Sequence, residues 1–386
     1  MIKITDKCTG CRACEQVCPK KSITIKEDSE GFLSPFINAN TCVECHLCQS
    51  RCPQNNILTA NEPTSVLGAR LIDDSVLYKS ASGGAFAGMA SAWIKMGGYV
   101  VGVVYDKDWN AHHFCTSNLE DLDNILSSKY VQADTRGVFS EVRGLLDKGE
   151  KVLFSGTGCQ VAGLRSFLRK DYNNLMTVDL ICHGVTSPLF FRTYIKWLET
   201  KCGSPILEYD FRDKKYGWGL SYKYKYKYKY KSSTIDPYYY NFLKGYAYRE
   251  CCYECRYAKI KRISDITIGD FWGILEEKPE FFSTKGVSSV LLNTKKGMDF
   301  FLSNKDLFFT IETDVNTVAR HNKNLVSPTH RDSAERDGFY KGIKDAPDAW
   351  FSKIVDRFNP PLNAVVRDMI PSWIRLLKFK VLHKYN

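Results

Sequence analysis

The chain has 386 residues, 44% of them hydrophobic and 25% charged, a composition typical of a globular protein with two or three domains and a substantial core. Its formal net charge is +11. The sequence contains no zinc-finger, RNA-recognition or helix-turn-helix signature, so we expect no nucleic-acid partner despite this basic balance.

The first sixty residues repeat one cysteine pattern, CTGCRACEQVCP at 8–19 and CVECHLCQSRCP at 42–53. Three cysteines of each copy lie on a tight turn, whereas the fourth points away and ligates the other cluster of a two-cluster protein. Zinc sites usually have two separated CxxC pairs, and disulfides require an oxidising compartment, so both alternatives are disfavoured. We therefore expect two 4Fe-4S clusters, one on Cys8, Cys11, Cys14 and Cys52, the other on Cys42, Cys45, Cys48 and Cys18.

Residues 1–60 resemble a bacterial-type two-cluster ferredoxin, which transfers single electrons and implies a redox partner protein or a ferredoxin. The sequence shows no signal peptide before the first motif, and its 15 cysteines suit metal ligands in a reducing cytoplasm, so we expect a cytoplasmic protein. Each cluster with its thiolates carries about −2, and three such sites would lower the net charge to about +5.

After a polar link at 54–66, helical and strand patterns alternate. Helices are predicted over 82–97, 140–149 and 159–170, and strands over 99–106, 151–156 and 176–184. The apolar run 86–105 contains Lys95 and a Gly97-Gly98 break, so it suits helix, turn and strand better than a membrane span. This alternation predicts a mixed α/β region with a partly parallel sheet, giving an α+β or α/β fold for the whole chain. We divide that region at 64–150, 151–345 and a helical tail at 346–386.

The stretch SYKYKYKYKYK at 221–231 has a strict period of two. Such a period predicts a strand or edge hairpin with tyrosines on one face and lysines on the other. The alternative with a specific function is that the lysine face binds an anion. A disordered tract is disfavoured, because five tyrosines are a large apolar area to leave in water.

Seven cysteines lie outside the first sixty residues: Cys115, Cys159, Cys182, Cys202, Cys251, Cys252 and Cys255. Cys159 and Cys182 follow consecutive predicted strands, and if those strands are parallel neighbours, both thiols lie at the same sheet edge. The pair in 252-CYEC-255 would close a third metal site from the opposite side. The alternatives are a helix-start or reactive thiol for Cys159, strand core for Cys182, and zinc or a redox dithiol for the CxxC.

Six ordered motifs within 64–330 resemble the coenzyme F420 hydrogenase/dehydrogenase beta-subunit family, in its form fused to a ferredoxin: SASGGAFAG, SKYVQAD, GTGCQVAGLR, LICHG, CYEC and RISDITIGDFWG. The resemblance implies a third 4Fe-4S cluster beside an FAD, with ligands Cys159, Cys182, Cys252 and Cys255. GTG replaces the family's GTP but leaves the thiol intact. Cys251 makes the register ambiguous, and Cys252 is preferred because it alone gives a two-residue spacing to Cys255.

Flavin contacts are predicted at Ser82, Gly83 and Gly84, whose amides open a helix, at Lys129, and at Gly156 and Thr157 beside Cys159. The alternatives are an ordinary helix cap, a solvated loop lysine and glycine needed only for a turn. Asp270 and Trp272 would wall the same cleft or belong to the core. His183 is the best proton-donor candidate, although a packed or cluster-bonding histidine is favoured.

These features predict an iron-sulfur flavin oxidoreductase whose substrate is a small molecule or a deazaflavin-like carrier, with electrons moving in either direction. The alternative is a non-enzymatic electron-transfer or redox-sensing subunit. The tail 371–386 is predicted to form a basic amphipathic helix. Packing on its own domain is favoured over binding to a membrane surface or a partner.

Overall fold

The computed structural model describes residues 5, 7–215, 217–360, 362–370 and 374. Its strands are β1 (Ile23–Glu27), β2 (Leu33–Ile37), β3 (Ser65–Leu71), β4 (Tyr99–Tyr105), β5 (Ala111–Thr116), β6 (Val152–Thr157), β7 (Leu175–Leu180), β8 (Ile206–Asp210), β9 (Tyr222–Tyr226), β10 (Lys229–Ser233), β11 (Ile266–Asp270), β12 (Ser288–Leu292) and β13 (Phe308–Thr313). Its α-helices are α1 (Ala13–Gln16), α2 (Leu47–Ser50), α3 (Asp74–Lys79), α4 (Ala85–Lys95), α5 (Leu122–Ile125), α6 (Val138–Asp147), α7 (Gly158–Leu168), α8 (Pro188–Cys202), α9 (Pro237–Lys244), α10 (Glu250–Tyr253), α11 (Ile274–Glu277), α12 (Lys295–Ser303), α13 (Val315–His321), α14 (Ser333–Arg336), α15 (Pro347–Arg357) and α16 (Leu362–Met369).

The N-terminal module is a structural repeat built on the two cysteine motifs. Each motif contains a one-turn helix, α1 or α2, and strands β1 and β2 pair antiparallel between these helices. The residues before these helices, Arg12 and His46, both have left-handed backbone, with φ of 57° and 59°. Such conformations are uncommon for residues other than glycine, and here they let each turn reverse sharply around its thiols.

The main sheet has eight strands in the order β13-β3-β12-β11-β7-β6-β4-β5. Strands β11, β7, β6 and β4 are parallel neighbours, and the outer pairs are antiparallel. The mixed α/β fold predicted from the alternating pattern is therefore confirmed. Helix α7 connects β6 to β7, so the carboxyl ends of these two strands lie side by side. Strands from both sides of residue 150 enter this one sheet.

A second sheet of three strands, in the order β10-β9-β8, covers an aromatic core with α8 and α9. The predicted face of buried tyrosines is present in β9, where Tyr222 and Tyr224 are buried. The prediction is wrong for Tyr230. The pairing register sets Tyr230 opposite Lys225, and directly paired side chains share a face, so Tyr230 lies exposed among the lysines.

The C-terminal region begins with α15, whose Trp350 and Phe351 pack into the aromatic core. Helix α16 follows. The helix predicted over 371–386 lies outside the described residues apart from Ile374, so its packing stays a prediction.

The N-terminal module is held to the rest of the chain by buried polar contacts. Arg249, which is 6% exposed, donates to the carbonyls of Cys8 and Leu33 at 2.7 and 2.9 Å and to the Ser34 hydroxyl at 2.9 Å. The guanidinium of Arg336 donates two hydrogen bonds, of 2.9 and 2.5 Å, to the Glu30 carboxylate. Arg249 and Arg336 would lose these hydrogen bonds if the module shifted, so the bonds favour one position of the module on the rest of the chain.

Close packing against Cys11 makes Gly163 in α7 a test of this interface. A Cβ at Gly163 would lie 2.9 Å from Cys11 Cβ and 3.1 Å from its Sγ, whereas one at the helical Gly144 would meet nothing within 4 Å. We expect Gly163→Ala to destabilise the protein by about 1–3 kcal/mol through overpacking. Gly144→Ala, the matched control, should be neutral or stabilising by up to about 1 kcal/mol. Urea unfolding under anaerobic conditions measures both, and equal effects would contradict this account of the interface.

Candidate functional site

The eight N-terminal cysteines fall into two groups in space. Four line one cavity of about 40 Å³: Cys8, Cys11, Cys14 and Cys52. The other four line a second cavity of about 20 Å³: Cys18, Cys42, Cys45 and Cys48. These are the two sets expected from the sequence, with the fourth cysteine of each motif crossing to the other group.

Burial makes the first group unfavourable for free thiolates. It raises the pKa of Cys11 to about 12, and it raises the pKa values of Cys8 and Cys14 as well. A cationic metal core would compensate for several thiolates in such a space, so the donor set fits an iron-sulfur cluster.

A third group of thiols lies where β6 and β7 end. Cys159 occupies the first turn of α7, which Thr157 and Gln160 cap reciprocally, and the Thr157 hydroxyl lies 3.1 Å from Cys159 Sγ. Cys182 follows β7, and the segment from α10 supplies the rest. One cavity of about 40 Å³ is lined by all five cysteines: Cys159, Cys182, Cys251, Cys252 and Cys255. Within the described residues, no three Cys, His, Asp or Glu side chains form a group suited to a single metal ion.

Four of the five thiols of this third group are also held away from the charged state. Burial raises the pKa of Cys182 to about 12 and raises the pKa values of Cys159 and Cys255. The hydrogen bond between the adjacent thiols of Cys251 and Cys252 raises the pKa of Cys252 and lowers that of Cys251, which also faces the Arg249 guanidinium. As in the N-terminal module, the donor set fits a cationic cluster better than free thiolates.

A buried ion pair that the sequence analysis missed supports this cavity. Arg262 donates to the Asp179 carboxylate at 2.5 Å, and the two side chains are 2% and 1% exposed. Ser264 and Thr267 donate to the other carboxylate oxygen at 2.8 and 2.5 Å. Arg262 also donates to the carbonyl of Tyr257 at 2.6 Å, which fixes the loop after Cys255. The signal was an aspartate within an otherwise apolar strand, MTVDLI.

The three thiol groups adjoin one another. Helices α1 and α2, which lie within the two motifs, contact each other. Thr9 lines both the cavity of the first group and that of the third. Tyr257 also lines the third cavity and packs in the same hydrophobic cluster as Cys11. The groups therefore form a continuous series from the N-terminal module to the main sheet.

Beside the third group lies a larger cleft of about 210 Å³. The cleft and the cysteine cavity share six lining residues: Thr157, Leu180, Cys182, His183, Gly184 and Val185. Most residues predicted to touch a flavin line the cleft: Ser82, Gly84, Lys129, Gly156 and Thr157, with Asp270 and Trp272 on its wall. Gly83 is not among the lining residues. A Cβ there would lie 2.3 Å from the Ala69 carbonyl oxygen, so packing on β3 explains this glycine.

The backbone amides that are available to bind an anion lie a few residues later in the chain than the predicted 82–84. Gly83 N–H already donates to the Ser288 hydroxyl at 2.9 Å, and Gly84 N–H donates to the Ala81 carbonyl at 3.1 Å. The first-turn amides of α4 have no acceptor within the helix, and this turn, Ala85 to Ala87, lines the cleft. A phosphate group of a dinucleotide would fit these donors.

Lys129 reaches the cleft from a loop. Its ammonium donates to the carbonyls of Leu126 at 2.6 Å and Asn124 at 3.1 Å, and burial lowers its pKa to about 8. An ammonium group has three donors, so one remains for a ligand.

A second buried ion pair closes one side of the cleft. Arg212, which is 4% exposed, binds Asp270 through two hydrogen bonds of 2.7 and 2.6 Å. Trp218 donates to Asp270 at 2.8 Å and stacks on Trp272 with ring centroids 5.0 Å apart. No pattern in the sequence indicated a role for Arg212, since its partner lies 58 residues away.

His183 lines both the cleft and the cysteine cavity, and its side chain is open to the cleft. The surrounding protein lowers its pKa, chiefly through burial, and Arg212 adds to this effect while Asp270 opposes it. The structure thus places His183 where the cleft and the cysteine cavity meet, and its role as a proton donor stays a prediction.

Comparison with known proteins agrees with these features. Residues 149–312 match the family described as the C terminus of the coenzyme F420 hydrogenase/dehydrogenase beta subunit, and residues 7–56 match the 4Fe-4S dicluster domain. The resemblance stated from the sequence is confirmed over these two stretches. The matches support iron-sulfur electron transfer as the general function and 4Fe-4S binding by the N-terminal module.

Among solved structures, a chain of the xenon-derivatised F420-reducing NiFe hydrogenase complex from Methanosarcina barkeri is similar at 16% identity. The match covers 77% of this chain and 93% of that chain, with a TM-score of 0.46. A search of the curated proteins finds no match. No helix among the described residues is long and apolar enough to cross a membrane.

The Arg262–Asp179 pair yields a stability prediction. Arg262→Met leaves a buried carboxylate without its counterion and should cost about 3–5 kcal/mol. Arg320 pairs with Glu277 at 2.7 Å but is 57% exposed, so the matched Arg320→Met should cost no more than about 1 kcal/mol. Urea unfolding of the two variants measures the difference. Equal losses would show that the buried pair has no special role.

Proposed function

We propose that the chain is an iron-sulfur flavin oxidoreductase of the coenzyme F420 hydrogenase/dehydrogenase beta-subunit type. The observation that carries the proposal is the shared wall between the five-cysteine cavity and the cleft, formed by Cys182, His183 and their neighbours. A cofactor in each space would be separated by little more than these side chains. When bound, clusters supply one-electron transfer and a flavin converts between one- and two-electron steps.

The ligand sets follow from the grouping of the thiols. We assign the N-terminal clusters to the two groups of four described above, and the third cluster to Cys159, Cys182, Cys252 and Cys255. All four lie in the one cavity, from three separate segments of the chain. Cys251 is the fifth thiol of this cavity and is left out of the set, because only Cys252 gives a two-residue spacing to Cys255.

The chain's own groups would orient and insulate these cofactors. Arg262 places positive charge at the cysteine cavity while its partner Asp179 keeps the pair neutral overall. The α4 amides and Lys129 would hold the flavin's phosphates or its anionic edge, and Trp272 would bound the cleft. His183 would donate or accept a proton where cleft and cavity meet. The thiol group containing the exposed Cys45 is the natural contact for a redox partner protein.

Iron content tests the ligand assignment. Anaerobically reconstituted protein should hold about twelve irons, about four for each of three clusters. Cys159→Ser, Cys182→Ser, Cys252→Ser and Cys255→Ser should each lower the content to about eight. Cys251→Ser should keep about twelve irons. The control Cys202→Ser, which changes a half-buried thiol outside the three groups, should also keep about twelve.

A wild-type content of about eight irons would remove the third cluster from the proposal. A loss in Cys251→Ser together with retention in Cys252→Ser would move the ligand by one residue and leave the rest intact.

Filling the cleft tests the flavin. Ser128 lines the cleft, so Ser128→Trp should abolish binding of added FAD, measured by flavin fluorescence, while the iron content stays unchanged. Ser128→Ala removes only the hydroxyl and should bind FAD as the wild type does.

If the wild type shows no FAD binding at micromolar concentrations, the chain is better described as a non-enzymatic electron-transfer subunit. If FAD binds, the next measurement compares the rates at which reduced deazaflavin, NAD(P)H and reduced ferredoxin reduce the protein. These are the electron donors that suit a small-molecule or carrier substrate.

A further inference from the structure

Helix α16 carries an apolar stripe that faces solvent. Leu362, Val366 and Met369 are spaced by four and three residues, so they lie on one face of the helix, and they are 83%, 58% and 79% exposed. Val365 and Asp368 lie to one side of this stripe and are partly buried. An exposed stripe of three large aliphatic side chains on one helix is unusual for a solvated surface.

The β9–β10 hairpin presents lysines and tyrosines at its tip. Lys227, Tyr228, Lys229, Tyr230 and Lys231 are all exposed, with Tyr228 at 82%. The ammonium group of Lys229 lies over the Tyr228 ring, 5.6 Å from the ring centroid. Tyrosine and lysine together suit a membrane interface, where the ring enters the headgroup layer and the ammonium stays at the charged surface.

Hydrogen bonds join helix α16 to the base of the β9–β10 hairpin. Asp368 of α16 accepts from Ser233 Oγ at 2.7 Å, Thr234 N at 2.8 Å and Thr234 Oγ1 at 3.0 Å, at the end of β10. The sequence that follows, 371–386, adds Arg375, Lys378, Lys380 and Lys384 and contains no Asp or Glu. The apolar stripe is thus attached to the lysine-bearing hairpin, and the basic sequence follows it in the chain.

We propose that the α16 stripe and the hairpin tip bind the surface of an anionic lipid bilayer. The lysines complement anionic headgroups, and the aliphatic side chains of Leu362, Val366 and Met369 would enter the acyl boundary. A nucleic acid would satisfy the lysines but leave the stripe in water. Lipid binding goes beyond the proposed redox function and does not rest on it, since no cysteine or cleft residue takes part.

Vesicle sedimentation with the full-length reconstituted protein tests the proposal. The protein should bind vesicles of phosphatidylcholine with about one-third phosphatidylglycerol, and not vesicles of phosphatidylcholine alone, because the lysines contribute about 1 kcal/mol each only at an anionic surface. Lys227→Gln, Lys229→Gln and Lys231→Gln combined should lower the partition coefficient on the order of 100-fold. The corresponding Lys→Arg triple keeps the charge and should bind normally.

A matched control replaces three other exposed lysines, Lys107, Lys148 and Lys151, with Gln, and it should leave binding unchanged. The combined Leu362→Gln, Val366→Gln and Met369→Gln variant retains helix-forming residues and should weaken binding on the order of tenfold or more. Thermal melting checks that each variant is folded. Absence of wild-type binding to the anionic vesicles, equal loss in both lysine-to-glutamine triples, or capture of an acidic protein without vesicle binding would overturn the proposal.

Discussion

The buried pair of Arg262 and Asp179 fixes the geometry on which the candidate site depends. Asp179 lies in β7, three residues before Cys182, and Arg262 follows the loop that carries Cys255. Arg262 also donates to the carbonyls of Tyr257 and Leu180, so one guanidinium connects the strand end to that loop. Without this pair the segment that carries Cys252 and Cys255 would lose its buried link to the end of β7. Its cost in desolvation is offset by the hydrogen bonds from Ser264 and Thr267 that satisfy the carboxylate.

Arg249 performs a comparable task for the N-terminal module. It accompanies the α10 cysteines in sequence, yet its guanidinium binds backbone carbonyls at Cys8 and Leu33. The same residue therefore links the segment of the first thiol group to the segment that carries the third, and its guanidinium also faces Cys251. A series of electron-transfer sites requires short separations, and Arg249 holds the N-terminal module in place against the rest of the chain.

Sequence patterns predicted the parts of the site that depend on local spacing. The two crossing cysteine groups follow from the CxxCxxCxxxCP repeat, and the convergence of Cys159 and Cys182 follows from two parallel strands joined by one helix. Contacts between distant segments left no such pattern. Arg212 and Asp270 are each ordinary charged residues in sequence, and only the fold pairs them. Gly83 was assigned to the cleft because it opens a helix, whereas its missing side chain serves packing on β3. Tyr230 was assigned to the buried face because the turn that shifts the pairing register is invisible in an unbroken Tyr-Lys repeat.

The two halves of the chain differ in how much they need their cofactors in order to fold. In the described part of the first sixty residues the buried hydrophobic side chains are Ala13, Ile23 and Phe32. So small an apolar core cannot stabilise a module alone, and metal ligation and docking must contribute the rest. The third thiol group instead lies at the edge of an eight-stranded sheet whose strands are buried on their own account. Loss of iron should therefore loosen the N-terminal module first, while the main sheet and its cleft persist, because only the former depends on metal for its cohesion.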